Sequence, residues 1–535
     1  MRAGVAILAL SVLMAAPGQG DPPPRGPFLD EAFRVAQGAM ASPAGNALMQ
    51  IGVRAAAGTG GLSALMRERQ ALTNALDGIE DRLTLPGADT VALTGEGDAL
   101  QQQVAGVDAR VLAEYPEFRA LTRPRPLTVA EVQALLHPDE ALVLTFVGDD
   151  STYVFAVSKT SAGWHRLAVE RAEVARIVGA LRDELDPSAP ARSAEALTPA
   201  APGGLAFNRH RASVLYDYLL RPLEPQFAQA AHVFVVPDGP LTSLPFGLLV
   251  TDYTEGADND PAVLRATQWL IRRQALTTLP SVESLRVVRQ MPPPAEGRVA
   301  FAGFGDPVLG GSLSVVALSR GAGVMRGGLA DGDQLRSLAA LPQTRGELLA
   351  IAATLGAPAS AVRLGRDATE TAVKDADLSR TRVLAFATHG LLSGDIAGLS
   401  EAALVLTPPD APSAADDGLL TASEIADLKL DADWVLLSAC NTAGGAAPGA
   451  EGLSGLARAF LFAGARSILV SHWPVRDDAA RRLTTVALDR LASGQARGRS
   501  QALRQSMLAL MDDTRDPTLA HPSAWSPFVL VGEGE

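Results

Sequence analysis

The run Val383-Leu384-Ala385-Phe386-Ala387-Thr388 leads directly into His389-Gly390, and Trp434-Val435-Leu436-Leu437-Ser438-Ala439 leads into Cys440-Asn441-Thr442. Short, continuous apolar runs that lie between helical segments are typical of parallel strands covered on both faces. Ligands of open parallel sheets collect at the carboxyl ends of the strands. We therefore expect both reactive side chains at the ends of buried strands.

The same alternation of apolar runs and amphipathic segments extends over residues 298–535. Three further runs read as strands, Arg298–Phe301, Ala403–Leu406 and Ser467–Val470. The segments between the runs read as helices, at about Arg345–Leu355, Thr369–Leu378, Gly455–Ala463, Asp477–Leu491 and Ser500–Met511. This order predicts an α/β fold with a doubly wound sheet.

Residues 131–290 also combine strands and helices, and Pro292-Pro293-Pro294 separates them from the later part. Short runs rich in β-branched and aromatic residues predict strands, at Ala141–Val147, Thr152–Val157, Trp164–Val169 and His232–Val236. Helices are predicted at about Arg171–Leu185 and Ala212–Leu220. A second α/β region therefore precedes the first.

Residues 28–122 read as an all-α arm. Apolar residues recur there at spacings of three and four, as from Leu62 to Leu83, with charges on the opposite face. The pattern predicts a helical hairpin or small bundle that packs on the rest of the chain or binds a partner. No convincing repeat of about 34 residues is present.

The first 20 residues resemble a secretory signal peptide. Arg2 precedes the apolar run Val5–Ala16, and small residues lead to a polar break at Asp21. The run is shorter than the roughly 20 residues that a transmembrane helix needs. We expect export to the periplasm or the extracellular space, with an uncleaved membrane anchor as the alternative and no other membrane span.

Composition excludes several classes of protein. The chain has 535 residues, a net charge of −13 and a single cysteine, so two or three domains are expected and an intramolecular disulfide is impossible. A cysteine-built zinc site is excluded as well. No basic surface for nucleic acid is evident. None of the three lysines stands in a phosphate-binding Gly-Lys-Ser/Thr step.

A thiol and an imidazole at neighbouring strand ends suit nucleophilic catalysis. Cys440 follows His389 by 51 residues (440 − 389). A thiolate attacks a carbonyl, while the imidazole takes the thiol proton and returns it to the leaving group. Either residue alone would be read as a small buried side chain or a structural histidine. Their shared position favours the catalytic reading, although no third residue to orient the histidine is evident.

An ordered series of motifs resembles the CHAT-domain family of caspase- and separase-like cysteine peptidases. The segments, from about residue 138 onward, are Pro237–Phe246, Leu341-Pro342-Gln343-Thr344-Arg345-Gly346-Glu347, Ala368-Thr369-Glu370, Ala387-Thr388-His389-Gly390, Gly418–Ile425, Leu437-Ser438-Ala439-Cys440-Asn441-Thr442, Glu451-Gly452-Leu453, Ala459-Phe460, Ala463–Ser467, Trp473-Pro474-Val475 and His521–Trp525. Each segment is weak alone, and their order makes the likeness specific.

This resemblance implies a caspase-like fold and a role for each motif. It implies His389 as general base and acid, Cys440 as nucleophile, and the N–H groups of Gly390 and Cys440 as the oxyanion hole. Residues 131–290 would form a non-catalytic half of the CHAT region, and residues 298–535 the catalytic half. The helical arm would be a regulatory or partner-sensing element, and the peptidase would stay latent until activated.

No cofactor is expected, and nothing in the sequence requires a metal. His472 departs from the family pattern, which usually has an apolar residue before Trp-Pro, and we interpret it as a tolerated substitution.

The substrate class and two rival functions stay open at this stage. Asp395 and Glu451, in loops after the two motifs, would pair with a basic side chain of a peptide or protein substrate, or would simply be solvated. The leading hypothesis is an exported endopeptidase that forms a thioester acyl-enzyme. The alternatives are a scaffold or regulatory module that binds partners through the arm, and an acyltransferase that uses the same cysteine.

Overall fold

The computed structural model describes residues 27–40, 68, 72, 75, 76, 79, 82, 90–114, 126–185, 205–291, 293–313, 325–326, 329–391, 399, 402–413, 415–438, 455–473 and 475–535. The predicted signal peptide at residues 1–20, Cys440, Asp395 and Glu451 lie outside the described residues.

One large mixed sheet organises the described part of the chain. Its strands are β1 (Glu140–Val147), β2 (Thr152–Ser158), β3 (Ala162–Leu167), β4 (His232–Val236), β7 (Ala275–Thr278), β8 (Val299–Gly305), β11 (Val362–Leu364), β12 (Thr381–Ala387), β16 (Trp434–Ser438), β17 (Ser467–Ser471) and β18 (Phe528–Gly532). The shorter strands are β5 (Val250–Asp252), β6 (Gln268–Trp269), β9 (Met325–Arg326), β10 (Leu329–Ala330), β13 (Gly390–Leu391), β14 (Ala403–Val405) and β15 (Leu419–Thr421). The order across the large sheet is β11-β8-β12-β16-β17-β18-β7-β4-β1-β2-β3.

The C-terminal part of the sheet is parallel around its central strands. Strands β11, β8, β12, β16 and β17 run in one direction, and β18 returns antiparallel beside β17. The chain passes from β8 outward to β11 and then back to β12 on the other side of β8. The carboxyl ends of β8 and β12 therefore flank a topological switch point, where crevices form in such sheets.

Helices cover both faces of the large sheet. They are α1 (Pro27–Ala39), α2 (Thr90–Glu114), α3 (Val129–Leu135), α4 (Arg171–Leu185), α5 (Arg209–Leu219), α6 (Glu224–Phe227), α7 (Pro261–Ala266), α8 (Leu270–Arg273), α9 (Glu283–Gln290), α10 (Gly332–Arg336), α11 (Pro342–Thr354), α12 (Glu370–Lys374), α13 (Ala422–Asp427), α14 (Gly455–Ala463), α15 (Asp477–Ala492), α16 (Arg499–Met511) and α17 (Pro522–Trp525). Helices α4, α5, α11, α15 and α16 contribute to the core on one face, and α1, α3, α9 and α14 contribute to the core on the other.

The apolar run Ala403–Leu406 was expected to be a strand of the large sheet, and that expectation is wrong. Ala403–Val405 is instead the middle strand of a separate three-stranded antiparallel sheet, β13-β14-β15. This small sheet buries its own core, which includes Leu391, Val405 and Leu419. A short apolar run looks the same in sequence whichever sheet it joins, which is the physical reason for the error.

The predicted α/β fold class with a preceding helical region is confirmed. Helix α1 packs on the large sheet, where Phe33 contacts Phe155 with ring centroids 5.6 Å apart. The Gln37 side chain exchanges two hydrogen bonds of 2.9 Å with the backbone of Leu127. The boundaries at residues 28–122, 131–290 and 298–535 stay predictions. None of the helices that the structure describes is long and apolar enough to cross a membrane.

Candidate active site

The two reactive motifs follow adjacent parallel strands in matching register. Strand β12 pairs with β16 so that Ala387 lies opposite Ser438. His389 lies two residues beyond Ala387, and Cys440 comes two residues after Ser438 in the sequence. Val383–Ala387 of β12 and Trp434–Leu437 of β16 are apolar and buried, and Ser438 is half-buried, so the ends of both strands are positioned by the core itself.

The ring of His389 is held by a backbone carbonyl. Its Nε2 atom lies 2.8 Å from the oxygen of Ala339. Because a carbonyl oxygen only accepts hydrogen bonds, Nε2 must carry the proton, which makes Nδ1 the basic nitrogen. The imidazole is 9% exposed. Burial lowers the pKa of His389 below 6.5, while the bond to Ala339 opposes that effect, so the neutral base is favoured.

The geometry after His389 directs the N–H of Gly390 away from its neighbouring strand. The N–H of Val405 donates to the carbonyl of His389 at 2.9 Å, and Gly390 lies opposite Leu404. Hydrogen-bonded and non-hydrogen-bonded pairs alternate along an antiparallel ladder. Gly390 and Leu404 are therefore a non-hydrogen-bonded pair, and the Gly390 N–H is not used in that ladder.

Hydrogen bonds from Thr388 and to the buried carboxylate of Glu370 hold the small sheet that carries Gly390. The Thr388 hydroxyl donates to the Val405 carbonyl. The Glu370 carboxylate accepts the N–H groups of Asp417 and Gly418, at 2.9 and 3.2 Å, just before β15. Burial raises the pKa of Glu370 to about 7, and the adjacent Lys374 ammonium opposes this effect.

Asp306 lies at the switch point, immediately after β8. It is the one non-glycine residue with positive φ, 50°, in the described part of the chain. Its N–H donates to Ala387 and to the Thr344 hydroxyl, at 3.3 and 3.1 Å, and its carboxylate pairs with Arg345 at 2.8 Å. The strained conformation is thus fixed from several sides, and it links β8 to the strand that bears His389.

A buried carboxylate meets the end of β16. The Ser438 hydroxyl donates to Oε2 of Glu347 at 2.9 Å, and Glu347 is 6% exposed. Glu347 belongs to α11, the helix that also supplies Thr344 and Arg345. The contact places an acidic group beside the strand that leads to Cys440.

His472 follows β17, the next strand beyond β16. It is 3% exposed, and it lines a cavity of about 50 Å³ together with Thr242, Arg504 and Trp525. Burial, assisted by the charge of Arg182, lowers the pKa of His472 well below its usual value. The His472 imidazole is therefore neutral, and its interpretation as a tolerated substitution stays a prediction.

One group of described residues could hold a metal ion, and it lies away from the strand ends discussed above. His137, Glu140 and Glu535 bring their ligand atoms within 4.8 Å of one another. Arg289 donates to both Glu140 and Glu535, so a cation already neutralises these carboxylates. We interpret the group as an ion-pair network at the beginning of β1.

Sequence reasoning identified His389 and Gly390 but assigned no role to Ala339, Asp306 or Glu347. A backbone carbonyl such as that of Ala339 leaves no side-chain signal. Glu347 stands within one of the quoted motifs, Leu341–Glu347, which was the available signal. The structure brings His389 and Gly390 together, whereas Cys440, Asp395 and Glu451 lie outside the residues that it describes.

Several known proteins are similar to this chain in sequence or in structure. Residues 209–533 match the CHAT domain. The chain is similar to Tetratricopeptide repeat protein 28 of Mus musculus, 36% identical over 114 residues, and of Homo sapiens, 26% identical over 365 residues. These matches cover 21% and 59% of this chain but only 4% and 13% of the relatives. The chain thus spans a small part of their length.

Two solved structures are distant likenesses of the chain. The Saccharomyces cerevisiae separase–securin complex has a TM-score of 0.42 and 11% identity, over 99% of this chain and 40% of that chain. The Arg specific cysteine proteinase gingipain R has a TM-score of 0.33 and 11% identity, over 68% and 74%. The family match over residues 209–533 covers more than half of the sequence, so this chain belongs to the CHAT domain family.

Proposed function

We propose that the protein is a cysteine endopeptidase that acts through His389 and Cys440. The observation that carries the proposal is the register of β12 and β16, which sets Ala387 opposite Ser438, two residues before each reactive side chain. The orientation of the imidazole supports it, because the bond to Ala339 leaves Nδ1 as the base.

The reaction follows from these groups. Nδ1 of His389 takes the proton of the Cys440 thiol, and the sulfur attacks the peptide carbonyl. The N–H groups of Gly390 and Cys440 donate to the oxyanion. The carbon–nitrogen bond then breaks, the leaving amine takes the proton from Nδ1, and a thioester remains. Water gives its proton to Nδ1, attacks the thioester and releases the acid and the thiol.

Substrate preference and latency belong to the same proposal. Asp395 and Glu451 pair with a basic side chain next to the scissile bond, so protein substrates with exposed Arg or Lys are favoured. The helical arm senses a regulatory protein partner and keeps the enzyme latent until that partner binds. The packing of α1 on the large sheet supports a physical connection between arm and sheet.

The test combines labelling with cleavage. Full-length protein, Cys440→Ala and His389→Ala are treated with a cysteine-directed peptidyl inhibitor and with a peptide library under reducing conditions. Because the chain has one cysteine, any thiol labelling reports Cys440. Cleavage after basic residues that both substitutions abolish supports the proposal. Absence of cleavage and of His389-dependent labelling, also after limited proteolysis and in cell extract to relieve latency, contradicts it.

Product analysis distinguishes the rival acyltransferase. A transferase passes the acyl group to an added amine or alcohol in preference to water, whereas a peptidase releases mainly the free acid. A scaffold would instead bind a protein through the arm equally well with Cys440→Ala. The N-terminal 20 residues support export, which a fusion of residues 1–30 to a compartment-sensitive reporter tests; a reporter that stays cytoplasmic contradicts it.

A further inference from the structure

We infer that Glu347 is a positioning residue for the Cys440 nucleophile, acting through Ser438. This inference rests on the proposed function, and it assigns a role to a carboxylate that the reaction itself does not use. The contact is direct: Oε2 of Glu347 accepts the Ser438 hydroxyl at 2.9 Å. Ser438 is the last residue of β16, and Cys440 is two residues further along the chain.

Because Glu347 is buried, its hydrogen bond to Ser438 compensates for hydration that the carboxylate has lost. A carboxylate that is 6% exposed loses most of its hydration, and this loss is unfavourable unless hydrogen bonds replace the water. A helix that packs on a sheet would ordinarily present an apolar side chain at such a position. A hydrogen bond to a carboxylate is also stronger and more directional than one between neutral groups, so it holds its donor in one place.

Glu347 belongs to a helix that holds two strand ends at once. One turn earlier on α11, the Thr344 hydroxyl accepts the N–H of Asp306 at 3.1 Å, directly after β8. Residues three apart on a helix share a face, so Thr344 and Glu347 project in similar directions. Strand β12, which bears His389, lies between β8 and β16. Helix α11 thereby contacts the ends of the two strands that flank β12.

This arrangement has a consequence for the nucleophile. Two residues of chain span at most about 7 Å, so the end of β16 limits where the Cys440 sulfur can lie relative to His389. A displacement of about 1 Å between catalytic groups can lower a rate on the order of 100-fold. The Glu347–Ser438 contact would thus act on the nucleophile through the chain, without touching the substrate.

The test uses Ser438→Ala, Glu347→Ala, the double variant and the conservative Glu347→Gln, whose amide oxygen still accepts a hydrogen bond. Glu140→Gln is the matched control, because Glu140 is also a buried carboxylate, 2% exposed, and it lies on β1, five strands away from β16 in the sheet order. Two readouts are taken on full-length protein: kcat and KM for peptide cleavage, and the pH dependence of Cys440 alkylation by iodoacetamide.

We expect Ser438→Ala and Glu347→Ala each to lower kcat by roughly 10- to 100-fold, with KM changed by less than about twofold. The double variant should be no slower than Glu347→Ala, because both single changes remove the same Ser438–Glu347 hydrogen bond. Glu347→Gln should recover most of the rate, and Glu140→Gln should leave it unchanged. The pH profile of Cys440 alkylation should change in the two alanine variants, because the thiol is then no longer held beside the imidazole that takes its proton, and it should stay unchanged in Glu140→Gln.

Equal alkylation profiles in the wild type, Ser438→Ala and Glu347→Ala would overturn the inference, as would rate losses that multiply in the double variant. If Glu347→Ala does not fold, Ser438→Ala and Glu347→Gln decide the question alone. A protein that cleaves no peptide but shows a Glu347-dependent alkylation profile supports the positioning role and contradicts the peptidase. Peptide cleavage at the wild-type rate in Ser438→Ala and Glu347→Ala supports the peptidase and contradicts the positioning role.

Discussion

Adding one methyl group at Gly305 should disturb the His389 site from the neighbouring strand. A Cβ atom at Gly305 would lie 2.5 Å from the Ala387 carbonyl oxygen and 2.7 Å from Cδ1 of Leu348, whereas ordinary contacts begin at 3.4 Å. The ends of β8 and β12 must therefore separate by about 0.9 Å (3.4 − 2.5). Overpacking of this kind destabilises a core by about 1–3 kcal/mol.

The displacement would act on the site because Ala387 is two residues before His389. Gly305→Ala should slow peptide cleavage on the order of 100-fold. If no substrate is known, it should slow Cys440 alkylation at pH 7. The free energy of unfolding should fall by the same roughly 1–3 kcal/mol. Gly346→Ala is the control, since no atom lies within 4 Å of its Cβ position on α11. A Gly305→Ala protein within twofold of wild type in both assays would refute the packing argument.

Three further outcomes follow from the charged groups. Because burial lowers the pKa of His389 below 6.5, the acidic limb of kcat/KM against pH should lie below 6.5, and a limb above it contradicts the neutral buried imidazole. Burial alone would raise the pKa of Glu140, but its basic neighbours, Arg289 among them, lower it to about 2. Ionised Glu140 therefore stabilises the folded protein above pH 4.5, and this contribution is lost as the pH falls toward 2. In urea unfolding, Glu140→Gln should be about 2 kcal/mol less stable than the wild type at pH 6 and nearly as stable as the wild type at pH 2. Lys374→Met should destabilise by about 2 kcal/mol because Glu370 then stays buried without its cation, and a second change, Glu370→Gln, should restore part of that loss.

The sequence predicted the strands that are buried on both faces. Val383–Ala387 and Trp434–Leu437 were expected, and Thr381–Ala387 and Trp434–Ser438 are observed. Uninterrupted apolar residues leave little choice when helices cover both sides of a sheet. The two-residue strand Gly390–Leu391 is too short to carry any periodicity, and it forms only because β14 pairs with it.

The candidate site was predictable where side chains carry the chemistry and unpredictable where the backbone does. His389 stands out after a buried strand, and its role follows from residue type and position. The acceptor that orients it, the carbonyl of Ala339, depends on a contact between residues 50 positions apart. Neither residue type nor spacing encodes that contact, because a backbone carbonyl is present at every position.

The buried polar groups around the strand ends bear on the choice between peptidase and scaffold. His389 and Glu347 are both nearly buried, and such groups contribute less stability than well-packed apolar residues of similar volume. A module that only binds partners through its helical arm has no physical need for an imidazole with a fixed tautomer at one strand end and a carboxylate at the next. A catalytic dyad needs the His389 imidazole for proton transfer and, by our inference, the Glu347 carboxylate to position Cys440. These buried groups therefore favour the proposed peptidase over the scaffold, and peptide cleavage that requires both His389 and Cys440 is the measurement that distinguishes the two.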